Sequence, residues 1–86
     1  MSESKIQSDI IKWLKSEGYY VIKVIRANEN GVPDIIFCKD GKFCAIEVKA
    51  KGNKASGLQK IHIDMINSSG GKAIVAYDLW TVMEEF

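Results

Sequence analysis

The 86-residue chain has one proline, one histidine and two cysteines, and its acidic and basic residues nearly cancel, leaving a net charge of +1 at pH 7. Each scarcity excludes something. Cys38, Cys44 and His62 are too few and too scattered for a Cys/His zinc cage. The two cysteines are therefore expected to be core thiols, and His62, alone near an apolar helix face, a structural residue without a chemical role. No run approaches the roughly 18 apolar residues of a membrane span, and the first residues lack the apolar centre of a secretion signal, so a cytoplasmic protein is expected. The near-neutral charge by itself says nothing about nucleic acid, whose binding domains are usually basic. Internal repeats and low-complexity tracts are absent.

What is present is the composition of an ordered globular chain, 47% hydrophobic and 27% charged, read as one domain over residues 1–86. At this length only about 60–65% of the unfolded surface is buried on folding, so the core is small. Pairing with a second copy would add stability, and a homodimer is expected on that ground.

The sequence is organised around residues 31–49. Asp34-Ile35-Ile36-Phe37-Cys38 and Phe43-Cys44-Ala45-Ile46 are apolar, strand-forming runs, and Asp40-Gly41 between them signals a two-residue type I′ turn. Register follows by counting outward from the turn: Lys39 opposite Lys42, Cys38 opposite Phe43, Phe37 opposite Cys44, Ile36 opposite Ala45, Ile35 opposite Ile46, and Asp34 opposite Glu47. Lys49, two residues beyond Glu47, projects from the same face. Carboxylates about 5 Å apart repel by about 3 kcal/mol at an effective dielectric near 20, so the pair needs a cation. Lys49 supplies part of that charge and a divalent ion would supply the rest. A salt-bridge cluster on a solvated strand end is the other reading of these residues. Strands apolar on both faces, with oxygen ligands beside a cation, instead match the needs of metal-assisted hydrolysis.

Pro33-Asp34 followed by Glu47-Val48-Lys49 resembles the PD-(D/E)xK nuclease signature. The ordered set of Glu3 in a first helix, Gly31-Val32-Pro33-Asp34, Ile46-Glu47-Val48-Lys49 and Gln59 in a second helix is similar to the VRR-NUC family within that superfamily, over nearly the whole chain. The resemblance implies a restriction-endonuclease-like α/β core cutting phosphodiester bonds with Mg²⁺, for which Mn²⁺ can substitute. It implies that Asp34 and Glu47 hold the ion with the Val48 carbonyl, and that Lys49 positions water or neutralises developing charge. Glu3, supported by Gln7 one turn later, then belongs to the active-site edge, and Gln59 contacts water or the nucleic-acid backbone. Branched DNA such as four-way Holliday junctions is the implied substrate, with duplex nicking and flap cleavage as the alternatives, and a homodimer would present two sites for paired cuts.

Around the motif, the spacing of Ile6, Ile10, Trp13 and Leu14 predicts an amphipathic first helix, capped by Ser2 or Ser4 and ended at Gly18. Tyr19 to Arg26 reads as a first strand and Ala27 to Gly31 as the loop bordering the site. A polar connection from Ala50 to Gly57 leads to a helix over about Leu58–Ser68, with Leu58, Ile61, Met65 and either His62 or Ile66 on one face. Lys72 to Tyr77 reads as a strand, and Leu79 to Phe86, capped by Asp78, as a terminal helix with Trp80, Met83 and Phe86 on one face for core closure or a dimer contact. The order α-β-β-β-α-β with a final helix predicts a mixed sheet with helices packed against it. Four lysines and no acid lie between residues 49 and 60. Lys51, Lys54 and Lys60, with Arg26 at the strand end, are the candidate phosphate contacts. A nucleic-acid-binding module that does not cut is the alternative function, and a small interaction domain held by an ion-pair network the third.

Overall fold

The computed structural model describes residues 1–86, in the order α1 (Glu3–Ser16), β1 (Tyr20–Lys23), β2 (Ile35–Lys39), β3 (Lys42–Val48), α2 (Gly57–Ser68), β4 (Lys72–Ala76) and α3 (Leu79–Glu85). The Ser2 side chain accepts the Lys5 N–H at 3.2 Å and so starts α1. Ile6, Ile10 and Leu14, spaced one turn apart, are its buried stripe, each worth about 1.5–3 kcal/mol of burial. Asp40 and Gly41 both have positive φ, 52° and 77°, as a type I′ turn requires. The β2–β3 register is the one counted from the sequence, from Lys39 opposite Lys42 to Ile35 opposite Ile46.

The four strands lie in the order β1-β2-β3-β4, antiparallel except for the parallel β3–β4 pair that α2 bridges. Ile35, Phe37, Cys44, Ile46 and Val48 alternate onto one face and form the core with α1 and Val82 of α3. The opposite face is covered by α2 along β3 and β4. Asn67 fastens that helix, donating to the Ala73 carbonyl at 3.0 Å and accepting the Ala73 N–H at 2.8 Å. No helix is long and apolar enough to cross a membrane.

Two expectations need correction, the extent of the first strand and the burial of Cys38, and two helix faces are more open than their spacing alone suggests. The first strand is shorter than residues 19–26, because the ladder stops after the bond from Val24 N–H to the Asp34 carbonyl at 2.7 Å. Beyond it Pro33 has no N–H to offer. The apolar stripe of α2 is largely solvated, with Leu58, Ile61 and Met65 at 51%, 53% and 62% exposure, since the helix covers only half of a four-stranded face. Cys38 is exposed on the uncovered half with Tyr20 and Phe43, whereas Cys44, one pleat over, is buried. In α3 the buried residue is Val82, while Trp80 and Met83 are exposed. Phe86 does close the core, edge-on to Phe37 at 4.8 Å.

Candidate active site

Asp34 stands immediately before β2 and Glu47 near the end of β3. One more step of the register sets them opposite each other on the face that carries α2. Asp34 Oδ2 accepts the Val48 N–H at 2.9 Å, which fixes its carboxylate against the end of β3. Glu47 is only 2% exposed. Its Oε2 accepts a hydrogen bond from Gln59 Nε2 at 3.2 Å and lies 3.8 Å from Lys49 Nζ. Its Oε1 is buried without any partner. Leaving a buried acceptor unmade costs about 1–3 kcal/mol, more for a charged one.

The Glu47 carboxyl is accordingly pushed up from its ordinary 4.5 to about 8. Burial is the main cause, the adjacent Asp34 carboxylate comes next, and the charge of Glu3 adds to them while Lys49 opposes. A value raised this far favours the protonated carboxyl near neutral pH. No three His, Cys, Asp or Glu side chains converge tightly enough to cage an ion by themselves. Two carboxylates suit a small hard ion that keeps several waters. A backbone oxygen is also at hand. The Val48 carbonyl lies on the same strand edge as its N–H, and the continued register sets Pro33, which has no N–H, across from it.

Gln59 is held at both ends. Its Oε1 accepts the Ser56 N–H at 2.8 Å and its own N–H donates to Ser56 Oγ at 3.2 Å, a capping box that begins α2 at Gly57 rather than Leu58. Its remaining amide hydrogens face Glu47. The first turn of α2 can come this close because residue 31 is glycine. Gly31 has φ +88°, and a Cβ there would lie 2.9 Å from both the backbone carbon and the Cβ of Leu58. Gly31→Ala is therefore expected to lower stability by about 2–3 kcal/mol through left-handed strain and displacement of α2. That is a fall of roughly 10 °C or more in Tm, read by thermal melts; an unchanged Tm would refute the close-packing account.

Glu3 is half-buried in the first turn of α1, close enough for its charge to act on Glu47, and its Oε2 accepts a hydrogen bond from Asn53 Nδ2 at 3.2 Å. Asn53 was not legible as a site residue, because one asparagine in a polar loop carries no pattern. Gln7 makes no side-chain hydrogen bond to Glu3 or to the carboxylates. Arg26 lines an open cleft of about 350 Å³ that reaches Asp34 and includes Glu29, Asn30 and Gly31. Lys51, Lys54 and Lys60 are exposed and touch neither carboxylate. His62 lies 3.8 Å from Glu29, away from the acidic pair.

The chain matches the family model of the VRR-NUC domain over residues 1–80. It is similar to a solved structure described as a VRR-NUC domain, covering 98% of this chain and 94% of that one with a TM-score of 0.82 and 18% identity. A second, described as a VRR-NUC domain protein, covers 99% and 84% with a TM-score of 0.82 and 23% identity. No curated protein matches the sequence.

Proposed function

The chain belongs to the VRR-NUC family of nuclease domains, and from that premise we propose that it is a divalent-metal-dependent endonuclease hydrolysing phosphodiester bonds in DNA. The observation that carries this reading is Glu47. A carboxylate buried beside a second one, with one oxygen lacking any partner, is a group that a dication completes.

Asp34 and Glu47, with the Val48 carbonyl, are the residues that would hold Mg²⁺ or Mn²⁺. When bound, the ion supplies Lewis-acid charge to the scissile phosphate and to an attacking water. Val48 N–H fixes Asp34, and Gln59 fixes Glu47 Oε2, so neither carboxylate need reorganise when substrate arrives. The largely buried Lys49 ammonium carries positive charge to the same oxygen, placing it where charge grows on the phosphate. Gln59 keeps its amide at the cleft to orient water or the DNA backbone. Glu3, tied to Asn53, closes the opposite edge. Arg26, Lys51, Lys54 and Lys60 hold flanking phosphates.

Branched DNA, Holliday junctions included, is the proposed substrate, cut by a homodimer whose two sites make paired incisions. The uncovered apolar half of the sheet supports association: Tyr20 and Phe43 share one hollow with Ile36, and Phe43 shares a second with Met65 of α2. The test is to incubate branched, flapped, duplex and single-stranded DNA with and without Mg²⁺ or Mn²⁺, beside Asp34→Ala. Metal-dependent cutting, strongest on junctions and lost in the variant, is expected. Metal-independent cutting, or full activity in Asp34→Ala, overturns the assignment, and a monomer in sedimentation equilibrium at working concentration overturns the paired-site part.

A further inference from the structure

Away from the carboxylates, α1 carries a second feature. Ser4, Ser8, Ile11, Lys12 and Lys15 fall along one stripe of the helix and, with Lys23 at the end of β1, line an open cleft of about 480 Å³. No acidic residue lines it. The acids of α1 are turned elsewhere, Asp9 pairing with Lys5 at 2.7 Å and Glu3 with Asn53. None of Lys12, Lys15 and Lys23 has a carboxylate within salt-bridge distance, although the chain as a whole is nearly neutral.

Both walls of this cleft begin at the end of the sheet that carries the carboxylates, on the sheet's other face. Ser4 follows Glu3 directly. Lys23 pairs with Ile35, the residue after Asp34, and the next residue donates its N–H to the Asp34 carbonyl at 2.7 Å. From there the helical stripe runs from Ser4 to Lys15, about 16 Å at 1.5 Å per residue. A straight track of that length follows only about two or three phosphates of one strand, because about five at 3.4 Å of axial rise already take half a turn of the duplex.

We propose that the α1–β1 cleft is a binding track for the phosphodiester backbone of the DNA arm that leads away from the cut. Lys12, Lys15 and Lys23 neutralise its phosphates, and the Ser4 and Ser8 hydroxyls donate to phosphate oxygens nearest the site. Two cations and two hydroxyls along one wall, with a third cation on the other, suit a regularly charged polyanion better than a single small anion. The proposal rests on the nuclease reading and adds to it a direction: one arm of the substrate runs along α1, opposite in sequence to the lysines that follow Lys49.

The test compares wild type with the triple variant Lys12→Gln, Lys15→Gln, Lys23→Gln, using a long duplex arm and one trimmed to the cleavage site, over a series of salt concentrations. Each lost phosphate contact lowers the slope of log affinity against log salt by about 0.9, so the variant's slope should be shallower by about 2–3. Its Kd and KM on the long arm should rise on the order of tenfold or more near 0.1 M salt, and the difference should shrink on the trimmed arm. Circular dichroism checks that these exposed substitutions leave the fold intact. Unchanged slope and KM in a wild type that does cut DNA overturn the track alone. Recruitment by the three lysines to anionic phospholipid vesicles, with DNA binding unaffected, also overturns it. Failure of the wild type to bind DNA at all overturns the nuclease reading and the track together.

Discussion

Glu47→Gln is expected to lower metal-dependent cleavage by about a thousandfold while leaving the protein folded. The substitution keeps the shape of the side chain, and its carbonyl oxygen still accepts from Gln59 Nε2 as Glu47 Oε2 does at 3.2 Å. What it removes is the negative charge. A thousandfold loss corresponds to about 4 kcal/mol of transition-state stabilisation, the scale expected when a hard cation loses one of two carboxylate ligands. Burial explains why the remaining groups do not compensate: Glu47 is 2% exposed, so bulk water does not take over the position of its oxygens. Neighbouring Lys49 would then face a neutral amide and add positive charge to a site already short of negative charge. Single-turnover cleavage of a junction substrate at saturating Mg²⁺ measures the effect. A rate within tenfold of wild type would show that the ion is held elsewhere, and the reading of this face as a metal site would be withdrawn.

The hairpin was legible because its turn is short and chemically specific. Asp40-Gly41 leaves only one register, and every pair counted from it, down to Ile35 opposite Ile46, is present. Asp34, Glu47 and Lys49 follow from the two-residue period of strands, which is why three residues separated by up to 15 positions could be placed on one face from sequence. Where the fold departs from the sequence pattern, the causes are also physical. Tyr19 to Arg26 is rich in strand formers, but a strand extends only as far as its neighbour offers hydrogen bonds, and Pro33 ends that offer. The stripe of Leu58, Ile61 and Met65 has the spacing of a buried helix face, yet periodicity does not report the width of the sheet beneath it. Cys38 and Cys44 looked alike because two-faced apolar strands conceal which face is covered. The capping box Ser56-Gly57-Leu58-Gln59 was visible as a pattern and would have set the start of α2 correctly. Asn53, by contrast, joins Glu3 only through the fold, across 50 positions of sequence.

Metal-free protein is expected to lose stability as pH rises from about 5 to about 8, and Mg²⁺ to restore more of it the higher the pH. The sign follows from Glu47, whose folded value of about 8 lies above its ordinary 4.5. Between those values the folded state holds a proton that the unfolded state has released, so stability falls with rising pH. The contribution is fully present below the unfolded value and lost as pH passes through the folded one, with a slope of at most about 1.4 kcal/mol per pH unit for one proton. In a chain of 86 residues each kcal/mol moves Tm by about 4–8 °C, so the decline is measurable. Asp78 acts in the opposite sense. Its hydrogen bonds from Thr81 at the start of α3 hold its carboxyl below the ordinary 3.8, and that contribution disappears only on acidification beneath the Glu47 window. A cation at Glu47 competes with the proton, so Mg²⁺ binding releases it and the gain in Tm over an EDTA-treated sample should be larger at pH 8 than at pH 6. Glu47→Gln cannot ionise there; its metal-free profile should be flatter across the window and its Mg²⁺ shift small at every pH. Thermal melts of both proteins with EDTA or Mg²⁺ decide the matter, and a metal-free wild type whose Tm stays level or climbs between pH 5 and 8 would show that Glu47 is ionised in the fold without help from a cation.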